Sequence, residues 1–155
     1  MKRLALALVV SVSAAALATA TLVRWDDSAE RCFKEEGEAA IAACTRAIQS
    51  GRFSGTELAS FYDNRAIELR QQGEFDRAIA DYSQAIHIDA EWTGAYTGRG
   101  LAYEGKDEAE KAKADYRKAL AVAPKYDDGQ WAHDTARDRL DKLADEITGS
   151  IGTRK

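Results

Sequence analysis

The chain has 155 residues, 45% apolar and 31% charged, a composition that suits one soluble helical domain. Its 22 Lys and Arg stand against 26 Asp and Glu for a formal charge of -4, and no Lys/Arg cluster follows a phosphate backbone, so nucleic acid is not an expected partner. With Pro124 as the single proline, almost nothing interrupts a helix.

In chain order, Met1-Lys2-Arg3 is a basic start, Leu4 to Leu17 is an apolar run, and Ala18-Thr19-Ala20 is a small-x-small site. Together they predict a signal peptide over 1–20, cleaved after Ala20. The competing reading keeps Leu4 to Val23 as an uncleaved anchor, the one route by which a membrane enters. Either way the basic start places the body outside the cytoplasm, so a periplasmic or secreted location in a bacterial envelope is expected.

Cys32 and Cys44 allow one intramolecular pairing, and an oxidising compartment makes a disulfide the expected state. Such a bridge closes a loop of about thirteen residues and contributes on the order of 3 kcal/mol. The alternative leaves Cys44 as a small buried residue on the stripe Ala40, Ile41, Cys44, Ala47 and Ile48 of a helix over Gly37 to Gln49, stopped by Gly51.

Ser54-Gly55-Thr56-Glu57 reads as a capping box, and the helix it opens runs through Tyr62, Ala66 and Leu69 to Gln72, with Gly73 as its stop. A second helix spans 74–88 on the stripe Phe75, Ala78, Ile79, Tyr82, Ala85 and Ile86. Adding thirty-four to Tyr62, Ala66, Leu69, Ala78, Tyr82, Ala85 and Ala90 gives Tyr96, Gly100, Tyr103, Ala112, Tyr116, Ala119 and Pro124, so the helix pair recurs over 92–103 and 108–122. Asp107 and Glu110 are the expected cap and N3 partner of the later helix. A last helix over 127–147 carries the stripe Trp131, Ala136, Leu140, Leu143 and Ile147, followed by a flexible tail over 149–155.

The order large, small, aromatic, Gly-containing turn, Ala, aromatic, Ala and Pro resembles the tetratricopeptide repeat. Ala42 to Ile48 looks like the opening of small exported bacterial proteins of that family. The resemblance implies an all-α, right-handed solenoid of antiparallel helix pairs. It divides 21–148 into a degenerate first repeat over about 25–50, full repeats over 59–92 and 93–126, and a capping helix over 127–147. Arg65 and Arg99 depart from the pattern by replacing leucine before the small residue, and Asp107 stands where Gly73 predicts glycine.

In the family, the first helix of each pair lines a concave groove. Carried over by position, the groove residues are Ser60, Asp63, Asn64, Ile67, Arg70 and Gln71 in one copy, and Gly94, Thr97, Gly98, Leu101 and Glu104 in the next. Gly94 and Gly98 either let a partner backbone approach closely or only relieve crowding beside Trp92 and Tyr96. Some cytosolic family members clamp a C-terminal carboxylate. Here Asn64 matches one clamp position, but glycines replace the needed Lys and Arg. The resemblance therefore implies a non-catalytic adaptor that binds a peptide or protein segment, or, as the alternative, a structural or assembly subunit of an envelope complex. Neither His87 nor His133 has a nucleophile or ligand set around it, so no catalytic residue, metal or cofactor is expected.

Overall fold

A computed structural model describes residues 27–152, with side chains through Asp145, so the expected signal peptide and anchor lie outside the described residues. The helices are α1 (Ser28–Lys34), α2 (Gly37–Gln49), α3 (Gly55–Gln71), α4 (Phe75–Ile88), α5 (Thr93–Glu104), α6 (Ala109–Ala121) and α7 (Gly129–Gly152), and no strand occurs among the described residues. Successive helices pack as antiparallel pairs, α1 with α2, α3 with α4 and α5 with α6, and the pairs stack into an all-α right-handed solenoid closed by α7. No helix among the described residues is long and apolar enough to cross a membrane.

The turns follow from local backbone chemistry. Gly73 adopts φ +78° just past α3, and thirty-four residues on Asp107 adopts φ +59° at the equivalent turn. Aspartate tolerates this left-handed conformation better than most side chains, which is why the turn survives without glycine. Asp107 is thus a turn residue and not the cap of α6, whose N-cap is Glu108, without a side-chain capping bond. Glu110 binds Lys113 instead. The capping box before α3 is likewise unmade: Ser54 is the extended N-cap, but its hydroxyl caps nothing. Gly105 has a different task, because a Cβ there would lie 2.4 Å from the Phe75 ring that packs against it.

The two arginines that depart from the repeat pattern hold the stack together. Arg65 grips Asp81 through Nε and Nη2 at 2.7 and 2.8 Å, and its Nη1 donates to Thr45 Oγ1 at 2.9 Å. Arg99 repeats the arrangement on Asp115 at 2.7 and 2.8 Å, with Nη1 donating to Ser83 Oγ at 2.9 Å. Each guanidinium therefore ties its own helix pair together and reaches a hydroxyl on the preceding pair. This bidentate, fork-shaped bonding is available to Arg and not to Lys or Leu. Ala66, Ala78, Ala85, Ala112 and Ala119 are fully buried at the helix crossings, with Tyr82 and Tyr116 as the large core side chains.

Two ends of the chain differ from expectation. At the first, a seven-residue helix, α1, precedes the Ala-rich α2, and Cys32 faces Cys44 across this pair with a Cα–Cα distance of 4.6 Å. At the other end α7 continues to Gly152, so the tail expected from 149 is helical as far as that residue. No proline follows Pro124 to stop the helix.

Candidate functional site

The concave face of α3 opens on a groove of about 830 Å³. Ser60, Asp63, Asn64, Ile67, Arg70 and Gln71 all line it, since they lie three or four residues apart on one face of a single helix. The opposite wall is not the expected one. It comprises Trp92, Gly94 and Gly98 at α5, then Lys125, Tyr126, Asp127, Asp128 and Trp131 from the segment into α7, with Phe33 of α1 at one edge.

Thr97, Leu101 and Glu104 are not groove residues, because α7 packs across their face of α5. Thr97 is fully buried and donates to the Ala132 carbonyl at 3.1 Å. Leu101 packs in the cluster of Tyr116, Ala136, Leu140 and Leu143. Glu104 accepts from the Tyr116 hydroxyl and from Arg139, whose Nε lies at 2.9 Å. Burial works to raise the Glu104 pKa, but the hydrogen bonds from Arg139 and Tyr116 hold it below its ordinary value. Trp131 also departs from its expected place: Ala132 is the residue of α7 buried against α5, whereas Trp131 remains 51% exposed at the groove mouth.

The glycines of α5 admit this chain's own side chains. At Gly98 a Cβ would stand 2.4 Å from the Tyr82 ring, and at Gly94 it would meet Asp128 Oδ2 at 1.8 Å. Tyr82, Asp128 and Trp92 are the side chains these two glycines make room for, where the sequence pointed to Trp92 and Tyr96. Asn64 serves the fold as well, since Nδ2 donates to the Cys32 carbonyl and lies 3.8 Å from both cysteine sulfurs.

The remaining floor is polar and buried. Asp63 is 8% exposed, and its Oδ1, Trp92 Nε1, the Tyr82 hydroxyl and Arg70 Nε complete no hydrogen bond. Burial first, and then the repulsion of Asp128, push the Asp63 carboxyl up to about 7, although the Trp92 indole beside it draws it back down. Burial raises Asp128 as well, and Asp127 adds to the shift. Aromatic surface surrounds these acids: Trp92 stacks on Tyr126 with ring centroids 4.6 Å apart, and Phe33 is 53% exposed. His87, by contrast, is exposed on α4, and the His133 ring meets the Val122 carbonyl at 2.8 Å. No group of three or more potential metal ligands occurs among the described residues.

Comparison with known proteins places these features in a family. Residues 67–107 match the family described as TPR repeat, and residues 93–126 the one described as tetratricopeptide repeat. The chain is 33% identical over 120 residues, 75% of its length, to a DnaJ homolog subfamily C member 7 homolog of Schizosaccharomyces pombe, and it spans only 22% of that relative. The TPR domain of Arabidopsis OM64 is 30% identical with a TM-score of 0.52, the match covering 64% of this chain and 79% of that one. The second TPR domain of human RPAP3, solved in complex with the HSP70 peptide SGPTIEEVD, is 26% identical with a TM-score of 0.56, covering 69% and 80%. These relatives overturn the periplasmic or secreted location expected from the N-terminal segment, because they belong to a cytosolic chaperone family and to eukaryotic cytosolic or outer-membrane proteins. A basic start, an apolar run and a small-x-small site are compositional signals, which the relatives outweigh.

Proposed function

Because the chain belongs to the tetratricopeptide-repeat family, a fold that serves as a protein-interaction module, we propose that its concave groove between α3 and the α5–α7 wall receives a peptide or protein segment of a partner. The observation that carries this reading is the groove itself. It is large enough for several side chains, and Phe33 and Trp131 stand exposed at its mouth where a buried aromatic would otherwise be expected. The peptide-bound RPAP3 domain supports the class of partner. It does not transfer the ligand: Gly94 and Gly98 occupy the positions where a carboxylate clamp needs Lys and Arg, and Asp63, Asp127 and Asp128 oppose an acidic tail.

Ser60→Trp tests the reading with little risk to folding, because Ser60 lies at the groove edge and bonds only the Glu57 carbonyl of its own helix. Binding of a selected peptide, followed by backbone amide shifts, is expected to perturb α3 and the Gly94 and Gly98 amides and to weaken by about tenfold or more in the variant. Shifts confined to α4 and α6, with affinity unchanged, would reject the groove.

A further inference from the structure

The chain satisfies its buried charges carefully except in the groove. Asp81 and Asp115 are as buried as Asp63, at 6% exposure each against 8%, and each receives two hydrogen bonds from an arginine. Asp63 Oδ1 receives none in this geometry, although the Trp92 indole lies beside it, and Trp92 Nε1, the Tyr82 hydroxyl and Arg70 Nε likewise complete no hydrogen bond. A buried carboxylate with an open lone pair is costly, so its presence on the groove floor marks a place where something else supplies the donor.

The surrounding groups define that donor. Asp128 is brought against α5 by the absence of a side chain at Gly94 and acts on Asp63 through its charge, with Asp127 next to it. Of the two basic residues lining the groove, Lys125 is bound to Glu91 at 2.7 Å, and Arg70, about two turns further along α3, acts through its charge on the Tyr82 hydroxyl and not on Asp63. The Asp63 end is thus net acidic and walled by the faces and edges of Trp92, Tyr126 and Trp131. Carboxylates among aromatic rings favour a cation: the carboxylates give charge-assisted hydrogen bonds, and the rings attract the same charge while covering an aliphatic stem.

We propose that the Asp63–Asp128 end of the groove is the anchor pocket for a basic side chain, arginine or lysine, of the bound segment. This rests on the groove being the binding site, and it names the partner's chemistry: a segment with one basic residue in apolar surroundings, not an acidic C-terminal tail. An incoming cation gives Asp63 Oδ1 its missing donor and replaces the repulsion between Asp63 and Asp128 with attraction to both.

The test uses the full chain and blocked apolar heptapeptides that differ only at the central residue, Arg, Lys, citrulline or Glu, with SGPTIEEVD as the acidic comparator and tryptophan fluorescence as the readout. The Arg and Lys peptides are expected to bind about tenfold or more tightly than the citrulline and Glu peptides. Asp63→Asn, and separately Asp128→Asn at the partly exposed rim, are expected to bring the ratio of Arg-peptide to citrulline-peptide affinity down to about one. Equal binding of all the heptapeptides, a preference for SGPTIEEVD, or an Arg preference that survives both substitutions would overturn the inference while the groove reading stands. A complete lack of binding by every peptide would overturn both.

Discussion

Asp63 carries the clearest residue-scale consequence. Its carboxyl is raised to about 7 in the folded chain by burial and by Asp128, against an ordinary carboxylate value when unfolded, with Trp92 and Tyr82 as its other polar neighbours and Arg70 on the far side of Tyr82. Between those two values the folded protein holds a proton that the unfolded chain has lost, so this group lowers stability progressively as pH rises through the window and by a constant amount above it. Asp63→Asn is therefore expected to raise the melting temperature at pH 8, by an amount on the order of a few kcal/mol in stability at about 1.4 kcal/mol per pKa unit. The gain should vanish near pH 4; thermal unfolding from pH 4 to 8 measures both. A gain in stability together with the loss of Arg-peptide preference is what a retained binding residue produces and a packing residue does not.

At the scale of elements, the Arg65–Asp81 and Arg99–Asp115 pairs explain why the helix pairs stack in register. The guanidiniums are mostly buried, with side-chain exposures of 18 and 19%, so removing a carboxylate strands a charge. Asp81→Ala is expected to cost about 3 kcal/mol, whereas Arg65→Met with Asp81→Leu should cost much less, since an apolar pair of similar volume needs no partner. Urea denaturation of both variants decides this. A larger loss in the double variant than in Asp81→Ala would show that the pair itself, and not the avoidance of an unpaired charge, holds the repeats. The hydroxyl partners follow the same logic: Thr45 and Ser83 occupy equivalent places, and their offset of 38 instead of 34 residues reflects the four-residue insertion around Arg52 to Gly55.

On the scale of the whole molecule, α7 decides which part of the groove is open. It covers the C-terminal part of α5 through the Thr97–Ala132 bond and the Glu104–Arg139 pair, leaving only the Gly94 and Gly98 end in the groove. Arg139→Ala is expected to loosen this cover by about 1–3 kcal/mol, because Glu104 loses a charge-assisted partner. Faster hydrogen exchange along α7 than along α3 is the corresponding readout.

The repeat period, the turn at Gly73 and the face of α3 were legible in the residues, because each depends on contacts within one helix pair or within one turn, whereas Asp107, expected as a cap, proved to be the left-handed turn residue. The six α3 groove residues share one face by helical spacing alone. The far wall was not legible. Trp131 and Ala132 are adjacent in sequence and about 100° apart around α7, so the stripe admits either as its buried edge, and only packing against α5 selects Ala132. That choice buries Thr97, covers Leu101 and Glu104 in part, and leaves Trp131 exposed on the groove that Asp63 and Asp128 also line. The sequence by itself determined the helix pairs and their repeat, through short-range spacing. The tertiary structure decided which polar groups were left without partners, because that depends on how distant helices meet.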